Sequence, residues 1–273
     1  AGTYLASFSS EYISTLVGSV TATAAADLAT LYSELMALPE GGTSRAATTV
    51  YGAGETLGPG VYTQGAAWSI SGNLKLDAGG VANALFVFRG EGALTTTNTA
   101  NIIFASGATS NNVWWVSQGA ITTGNGAVLK GSFIANQAAN DPGPNLVLEG
   151  RILTVNGAIS INTADIKAPT GTINPSLTLG SLNLFSVFAG VGALTSIGTT
   201  SNIAKSIGSN LGTVTGFTDG DIVSGTIYNN TDTLSVIEYG IYVDGVEIAD
   251  SRRSQSQTSL VSGWPMSIQT IAT

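Results

Sequence analysis

The side chains best placed to do surface chemistry in this chain are neutral. Thr95, Thr97 and Thr99 follow one glycine-led phrase, Thr122 and Asn125 follow a second, and Ser160 and Asn162 belong to a third. Apolar and polar residues alternate there, so if Ile159 and Ile161 face a core, Ser160 and Asn162 face outward. Hydroxyl and amide groups exchange hydrogen bonds with a partner surface without holding the tight hydration shell of a charge. Stacked strands set such groups about 4.8 Å apart across the sheet and about 6.6 Å apart along each strand, giving a two-dimensional grid. The same residue types also serve as ordinary solvent-side strand and turn residues.

Catalytic chemistry finds little support. The chain has no His and no Cys, which removes thiol and Ser/His nucleophiles, imidazole or thiolate zinc sites and the usual neutral-pH proton shuttle. Glu55, Asp77, Glu91, Asp141, Glu149 and Asp165 lie far apart, with no local pair for glycosidase work. Asp219-Gly220-Asp221 does not complete a calcium loop and reads as a turn. The expectation is a non-enzymatic chain without cofactor or metal. Trp114 and Trp115 are adjacent in a strand, so at most one is expected to be exposed for sugar stacking, and packing suits both better. Asn229-Asn230-Thr231 fits the N-glycosylation pattern.

The elements that would position these groups repeat. Gly92-Ala93-Leu94-Thr95 returns as Gly119-Ala120-Ile121-Thr122 and Gly157-Ala158-Ile159-Ser160, and Lys130-Gly131-Ser132-Phe133-Ile134 returns 19 residues later as Glu149-Gly150-Arg151-Ile152-Leu153. Units this short bury an apolar face only by stacking, which predicts a solenoid. Between 50 and 168, alternating runs include Leu74 with Leu76, and Leu85 with Val87. Asn140-Asp141-Pro142-Gly143-Pro144 reads as a bulged loop at a rung turn, and 169–180 as a connector.

One segment is helical. Leu28, Leu31, Tyr32, Leu35 and Met36 form an apolar stripe within Thr23–Leu38, with Thr23 as N-cap, Asp27 near the first turn and Pro39 with Gly41-Gly42 as the stop. Its expected partner is the solenoid's flank. Residues 1–20 suit helix and strand equally. Val236–Val243, Asp244-Gly245 and Val246–Ile248 read as a β-hairpin with a type I′ turn.

Composition narrows the partners. Hydrophobic residues make up 43% and charged residues 10%, against about 25% charged in ordinary globular chains. The net charge is −8 and the nine Lys and Arg are scattered, which argues against nucleic acid. The acidic balance disfavours anionic membranes, and no 18-residue apolar run is present for insertion. The lack of cysteine is compatible with export, and the sequence starts at Ala1 without a leader, as a processed secreted chain or a trimmed one does.

Several phrases together resemble the DUF3494 family of bacterial and fungal ice-binding proteins. They are Gly54-Glu55-Thr56-Leu57-Gly58-Pro59-Gly60-Val61-Tyr62, Leu74-Lys75-Leu76-Asp77-Ala78, Asn83-Ala84-Leu85-Phe86-Val87-Phe88 and Asn112-Val113-Trp114-Trp115-Val116, followed by the two rung phrases at 130–134 and 149–153. The resemblance covers roughly 22–168. It implies a mainly β fold, a right-handed β-solenoid with one flanking α-helix, and adsorption to ice through a flat, weakly charged face. On that basis Thr95, Thr97, Thr99, Thr122, Asn125, Ser160 and Asn162 are the expected ice-contacting residues.

The order departs from the family's. A phrase like the family's opening, Leu179-Gly180-Ser181-Leu182-Asn183-Leu184-Phe185, with Ser206–Asn210 and Val214–Phe217, comes after the solenoid here. Either the domain is circularly permuted, or these rungs complete a neighbouring copy in a head-to-tail polymer. The expected organisation is helix and solenoid core over 1–176, a solenoid-like segment over 177–217, and a small β-rich hairpin or sandwich-like module over 218–273. Two functions follow from the resemblance: a secreted ice-binding protein whose partner is the ice surface, or an extracellular or cell-surface filament or adhesion subunit whose partners are copies of itself.

Overall fold

In the computed structural model, the structure describes residues 20–41, 49–198, 200–229, 235–243 and 246–255. The readings for residues 1–19, for the Asp244-Gly245 turn and for Asn230 and Thr231 of the glycosylation triplet lie outside them. Residues 19–231 form one compact unit, and the strands near the C-terminus belong to another.

The first unit is a stack of eight rungs in chain order. Rung one is β1 (Val50–Gly52), β2 (Glu55–Leu57) and β3 (Gly60–Gln64); rung two is β4 (Trp68–Ser71), β5 (Asn73–Asp77) and β6 (Phe86–Gly90); rung three is β7 (Leu94–Thr96), β8 (Asn101–Ala105) and β9 (Val113–Ser117). Rung four is β10 (Ile121–Thr122) and β11 (Val128–Ala135), and rung five is β12 (Asn140–Asp141) and β13 (Val147–Thr154). Rung six is β14 (Ile159–Ile161), β15 (Asp165–Lys167) and β16 (Phe185–Ala189); rung seven is β17 (Leu194–Ser196), β18 (Asn202–Ala204) and β19 (Ser206–Ser209); rung eight is β20 (Val214–Thr215), β21 (Ile222–Ser224) and β22 (Ile227–Tyr228).

All rung pairings are parallel, and three walls result. The first strands of the rungs form an eight-stranded sheet, and the remaining two walls form a fourteen-stranded sheet folded along a corner. In rungs four and five the fold is continuous, because β11 and β13 bend at Gly131 and Gly150. Gly131 has φ +103, and a side chain there would strike the Val113 carbonyl.

Residues 185–228 therefore stack on this chain's own rungs, with β16 on β13 and β17 on β14. The rung pattern also runs past 217, since β21 pairs with β18 and β22 with β19. The Asn140–Pro144 loop expectation is corrected: Asn140 and Asp141 are a strand paired with β10. Asn140 is buried where other rungs carry Leu94, Ile121, Ile159 and Leu194, and its amide donates to the Phe133 and Leu153 carbonyls at 3.1 and 3.2 Å. These bonds offset the cost of an amide in an apolar column.

The inner core holds an aromatic column. Tyr62, Phe88, Trp115 and Phe133 are in register on successive rungs, with Phe88 and Trp115 stacked at 4.2 Å between ring centroids. The turns before three of the first-wall strands, β10, β14 and β20, carry a buried hydroxyl: Ser117 donates to the Gly92 carbonyl at 2.7 Å, and Thr154 and Ser209 accept from the Gly157 and Gly212 amides at 2.9 Å.

The helix, α1 (Val20–Ala37), begins three residues before Thr23, so Thr23 is inside it and is not its N-cap. Leu28, Leu31 and Leu35 are fully buried against the third wall, among Val87, Trp114, Ile134 and Leu153. Burying each leucine contributes roughly 1.5–3 kcal/mol. That cover explains why both tryptophans are buried: Trp115 points into the solenoid and Trp114 into the helix interface. Val87 likewise faces the helix, while Phe86 and Phe88 face the inner core.

The helix is tied down at its C-terminal end and near its middle. Arg89 of β6 donates to the Leu35, Met36 and Leu38 carbonyls at 3.2, 2.7 and 2.9 Å, satisfying groups a helix end leaves open. The 169–180 connector packs Leu177 and Leu179 under the helix, and the Asp27 carboxylate accepts the Ser181 amide at 2.6 Å. In the second unit, β23 (Ser235–Val243) and β24 (Val246–Gln255) pair antiparallel from Val243 and Val246 outward, the expected hairpin.

Candidate functional site, an uncharged sheet face

Among the described residues no element covers the first wall, and its outward residues line up by register. Ser69, Thr95, Thr122 and Asp141 are consecutive neighbours. Asn140 pairs with Ile159, which carries the column on to Ser160, and Ser160 pairs with Thr195 and Thr195 with Thr215. Six of these seven positions carry a hydroxyl. The residue on the N-terminal side of each inward one is small, Ala93, Ala120, Ala139, Ala158 and Ala193 among them. A glycine precedes most of these alanines because the rungs touch there: a side chain on Gly192 would strike the Gly157 carbonyl. Close contact of this kind sets the spacing between the rungs at this wall.

Charge separates the two open walls. Asp141 is the single ionisable residue among the outward positions of the first wall's strands, while the second wall carries Lys75, Asp77, Lys130, Glu149, Asp165 and Lys167. These pair locally, Lys75 with Asp77 and Lys130 with Glu149 at 3.5 Å, and Lys167 with Asp165 at 3.6 Å. A hydrogen bond from Ser106, then the Gly79 amide, holds the Asp77 carboxyl below its ordinary range. Burial raises Glu149, but bonds from Thr170 and Ser110, with Lys130 beside it, leave it lowered. Such a wall keeps its own bound water.

The seven expected residues divide by position. Thr95, Thr122 and Ser160 stand in the central column. Thr97 and Asn162 lie where the first wall turns into the second, and the Thr97 hydroxyl is 3.1 Å from that of Thr99 and 3.4 Å from that of Ser71. Thr99 and Asn125 sit on the corner ridge, outside the first-wall strands. The Asn125 amide donates to the Asn98 side chain at 2.9 Å, and its side-chain oxygen accepts from Asn145 at 3.3 Å. Ser69, Thr195, Thr215 and Asp141 belong to the column and were not among the expected residues. The signal for Thr195 was the fourth glycine-led phrase, Gly192-Ala193-Leu194-Thr195.

Comparison with known proteins decides the family. The model of the ice-binding-like family matches residues 6–167, more than half of the chain. The chain belongs to the ice-binding-like family. An ice-binding protein of Nostoc sp. (strain HG1) is 34% identical over 145 residues, which are 53% of this chain and 52% of the relative. One of Flavobacterium frigoris (strain PS1) is 28% identical over 89 residues, 32% of this chain and 31% of the relative. The chain thus spans about half, or less, of the length of the curated relatives it matches. The crystal structure of an ice-binding protein from an Antarctic Flavobacteriaceae bacterium is similar with a TM-score of 0.51 and 34% identity, covering 75% of this chain and 49% of that one. Another, from an Antarctic biological consortium, gives 0.50 and 28%, covering 54% and 66%. Both relatives and structures are named as ice-binding proteins and none as an enzyme. The family match ends at 167, with the second strand of rung six, so β16 and rungs seven and eight continue the stack beyond it.

Proposed function

We propose that this chain binds ice through its first wall, with Ser69, Thr95, Thr122, Ser160, Thr195 and Thr215 as the central contacts and Thr97 and Asn162 at their side. The observation that carries this reading is the hydroxyl column on the one open wall that is almost free of charge. Ice adsorption needs a rigid surface whose bound water adopts the lattice of the crystal. Thr and Ser hydroxyls at the strand spacing of about 4.8 Å, between small alanines, template such water, whereas ammonium and carboxylate groups orient it around themselves. The reading places the chain's work outside the cell. Replacing Thr95 and Thr122 with Tyr is expected to abolish thermal hysteresis and ice shaping while circular dichroism stays unchanged; retained activity rejects this wall.

A second reading is assembly of copies through the ends of the stack. Among the described residues the strands of rungs one and eight have a neighbour on one side only, and Ile197, Leu211 and Val223 in the last two rungs are exposed. Sedimentation across concentration tests it: a strictly monomeric full chain removes this reading.

A further inference from the structure

Two large aliphatic side chains stand outward on the hydroxyl wall. Val50 of β1 is the register partner of Ser69, so it heads the central column, while Tyr51 beside it turns inward and pairs with the buried Ile70. Ile197 lies two residues beyond Thr195 and therefore on the same side of the chain. Its amide donates to the Ile161 carbonyl at 2.9 Å, which seats it beside Asn162 at the edge of the wall. Val50 is 53% exposed and Ile197 65%.

The edge column that holds Ile197 has a gap. The Thr97 hydroxyl lies 3.4 Å from that of Ser71, and side chains on Gly124 and Gly143 would strike the backbone of Thr97 and of Thr123. The column therefore runs Ser71, Thr97, Gly124, Gly143, Asn162 and Ile197, with no side chain at rungs four and five, where Asp141 also stands. Both columns carry side chains at rungs two and three and again at rungs six and seven. Val50 borders the first of these patches, and Ile197 belongs to the second.

A lone exposed aliphatic group on a charged surface needs no partner to explain it. Among hydroxyls, on a surface almost free of charge, the same group has a use. Water around it keeps its bonds to other water and is not oriented by a charge, so it accommodates the lattice that the neighbouring hydroxyls template, and covering the group with ice withdraws apolar area from the liquid. The second wall supplies the contrast: Ile103 and Val128 are 39% and 40% exposed there, and Ile103 is the register partner of Lys75. We propose, resting on the reading of the first wall as the ice-binding face, that Val50 and Ile197 are ice-contacting residues. They extend the contact area to rung one at one end and to the edge of rung seven at the other, on either side of the Asp141 gap.

Thermal hysteresis of the full chain is compared at equal concentration with that of Val50→Lys, Ile197→Lys, Ile197→Ala, the second-wall pair Ile103→Lys/Val128→Lys and the pair Thr95→Tyr/Thr122→Tyr. Circular dichroism checks the fold of each, which exposed positions of this kind leave intact. Each first-wall lysine is expected to lower hysteresis by about threefold or more, because an ammonium must shed its water to enter the contact. Ile197→Ala removes the aliphatic group without adding charge and is expected to lower it by about twofold. The second-wall pair keeps full activity. Full activity in Val50→Lys or in Ile197→Lys, with the threonine pair inactive, overturns the assignment of that residue and leaves the hydroxyl wall standing. Full activity in Ile197→Ala, or an equal loss in the second-wall pair, overturns the aliphatic contribution. Full activity in the threonine pair and in both first-wall lysine variants rejects the wall and the assignment together.

Discussion

Asp141 stands in register beside Thr122, so a carboxylate interrupts the run of hydroxyls between Ser69 and Thr215. It is exposed, and its neighbours along the strand are the buried Asn140 and the corner Pro142. A full charge at the centre of the wall holds water in its own shell and works against a lattice-like layer. Asp141→Thr is therefore expected to increase thermal hysteresis, and Asp141→Lys to leave it low, as measured by nanolitre osmometry at equal protein concentration. Equal activity of the wild type and Asp141→Thr shows that this position lies off the contact area.

The Arg89 guanidinium bridges the end of the helix to rung two. Arg89→Met keeps the apolar stem and removes three charge-assisted bonds to carbonyls that are then left open. A loss of about 2–4 kcal/mol follows, given that such bonds contribute about 1.5–3 kcal/mol each and do not add fully. Urea denaturation with an unchanged m-value measures it.

Rung spacing depends on the glycine column. In Gly192→Val the new side chain meets the Gly157 carbonyl of the rung below, a backbone atom that cannot move without separating the rungs. The expected cost is about 3 kcal/mol or more, typical of severe overpacking, with a fall in Tm on thermal unfolding.

Glu149 provides a pH signature. Its side chain accepts from Ser110 at 2.7 Å and Thr170 at 2.6 Å, which ties the long 168–184 segment to rung five, and its folded-state pKa is lowered. A lowered carboxylate contributes stability that is full above its unfolded value and is lost as pH falls through the folded one. The full chain is expected to lose stability as pH falls through and below the ordinary carboxylate range, and Glu149→Gln to be less stable at neutral pH but to show a flatter acid limb. Chemical denaturation at several pH values reads both slopes.

The fold was legible wherever local spacing carried it. Gly-Ala-Leu-Thr phrases place Leu94 and Ile121 inward and Thr95 and Thr122 outward without any long-range information, because strand period alone fixes the side. Leu28, Leu31 and Leu35 named the buried face of the helix for the same reason. What the pattern could not carry was what covers a face. Val87 and Trp114 alternate out of the inner core, yet they are buried because the helix lies over them. Asn140 reads as a loop residue until its two backbone acceptors on β11 and β13 are seen.

The candidate site was legible to the same depth. Thr95, Thr122 and Ser160 followed from alternation, whereas Thr99 and Asn125 fell on the corner because strands end where three-walled rungs turn, a boundary that runs of Thr and Asn do not mark. The contrast between the walls was also hidden, since Lys130 and Thr122 are eight residues apart in sequence yet occupy different walls.

The most direct test compares substitutions on the two open walls. Thermal hysteresis and ice-crystal shaping are measured for the full chain, for Thr95→Tyr/Thr122→Tyr and for Lys75→Tyr/Lys130→Tyr, each verified as folded by circular dichroism. Ice activity in the full chain, its loss in the threonine pair and its retention in the lysine pair is the predicted result; loss confined to the lysine pair, or no activity in the folded full chain, contradicts binding through the hydroxyl column.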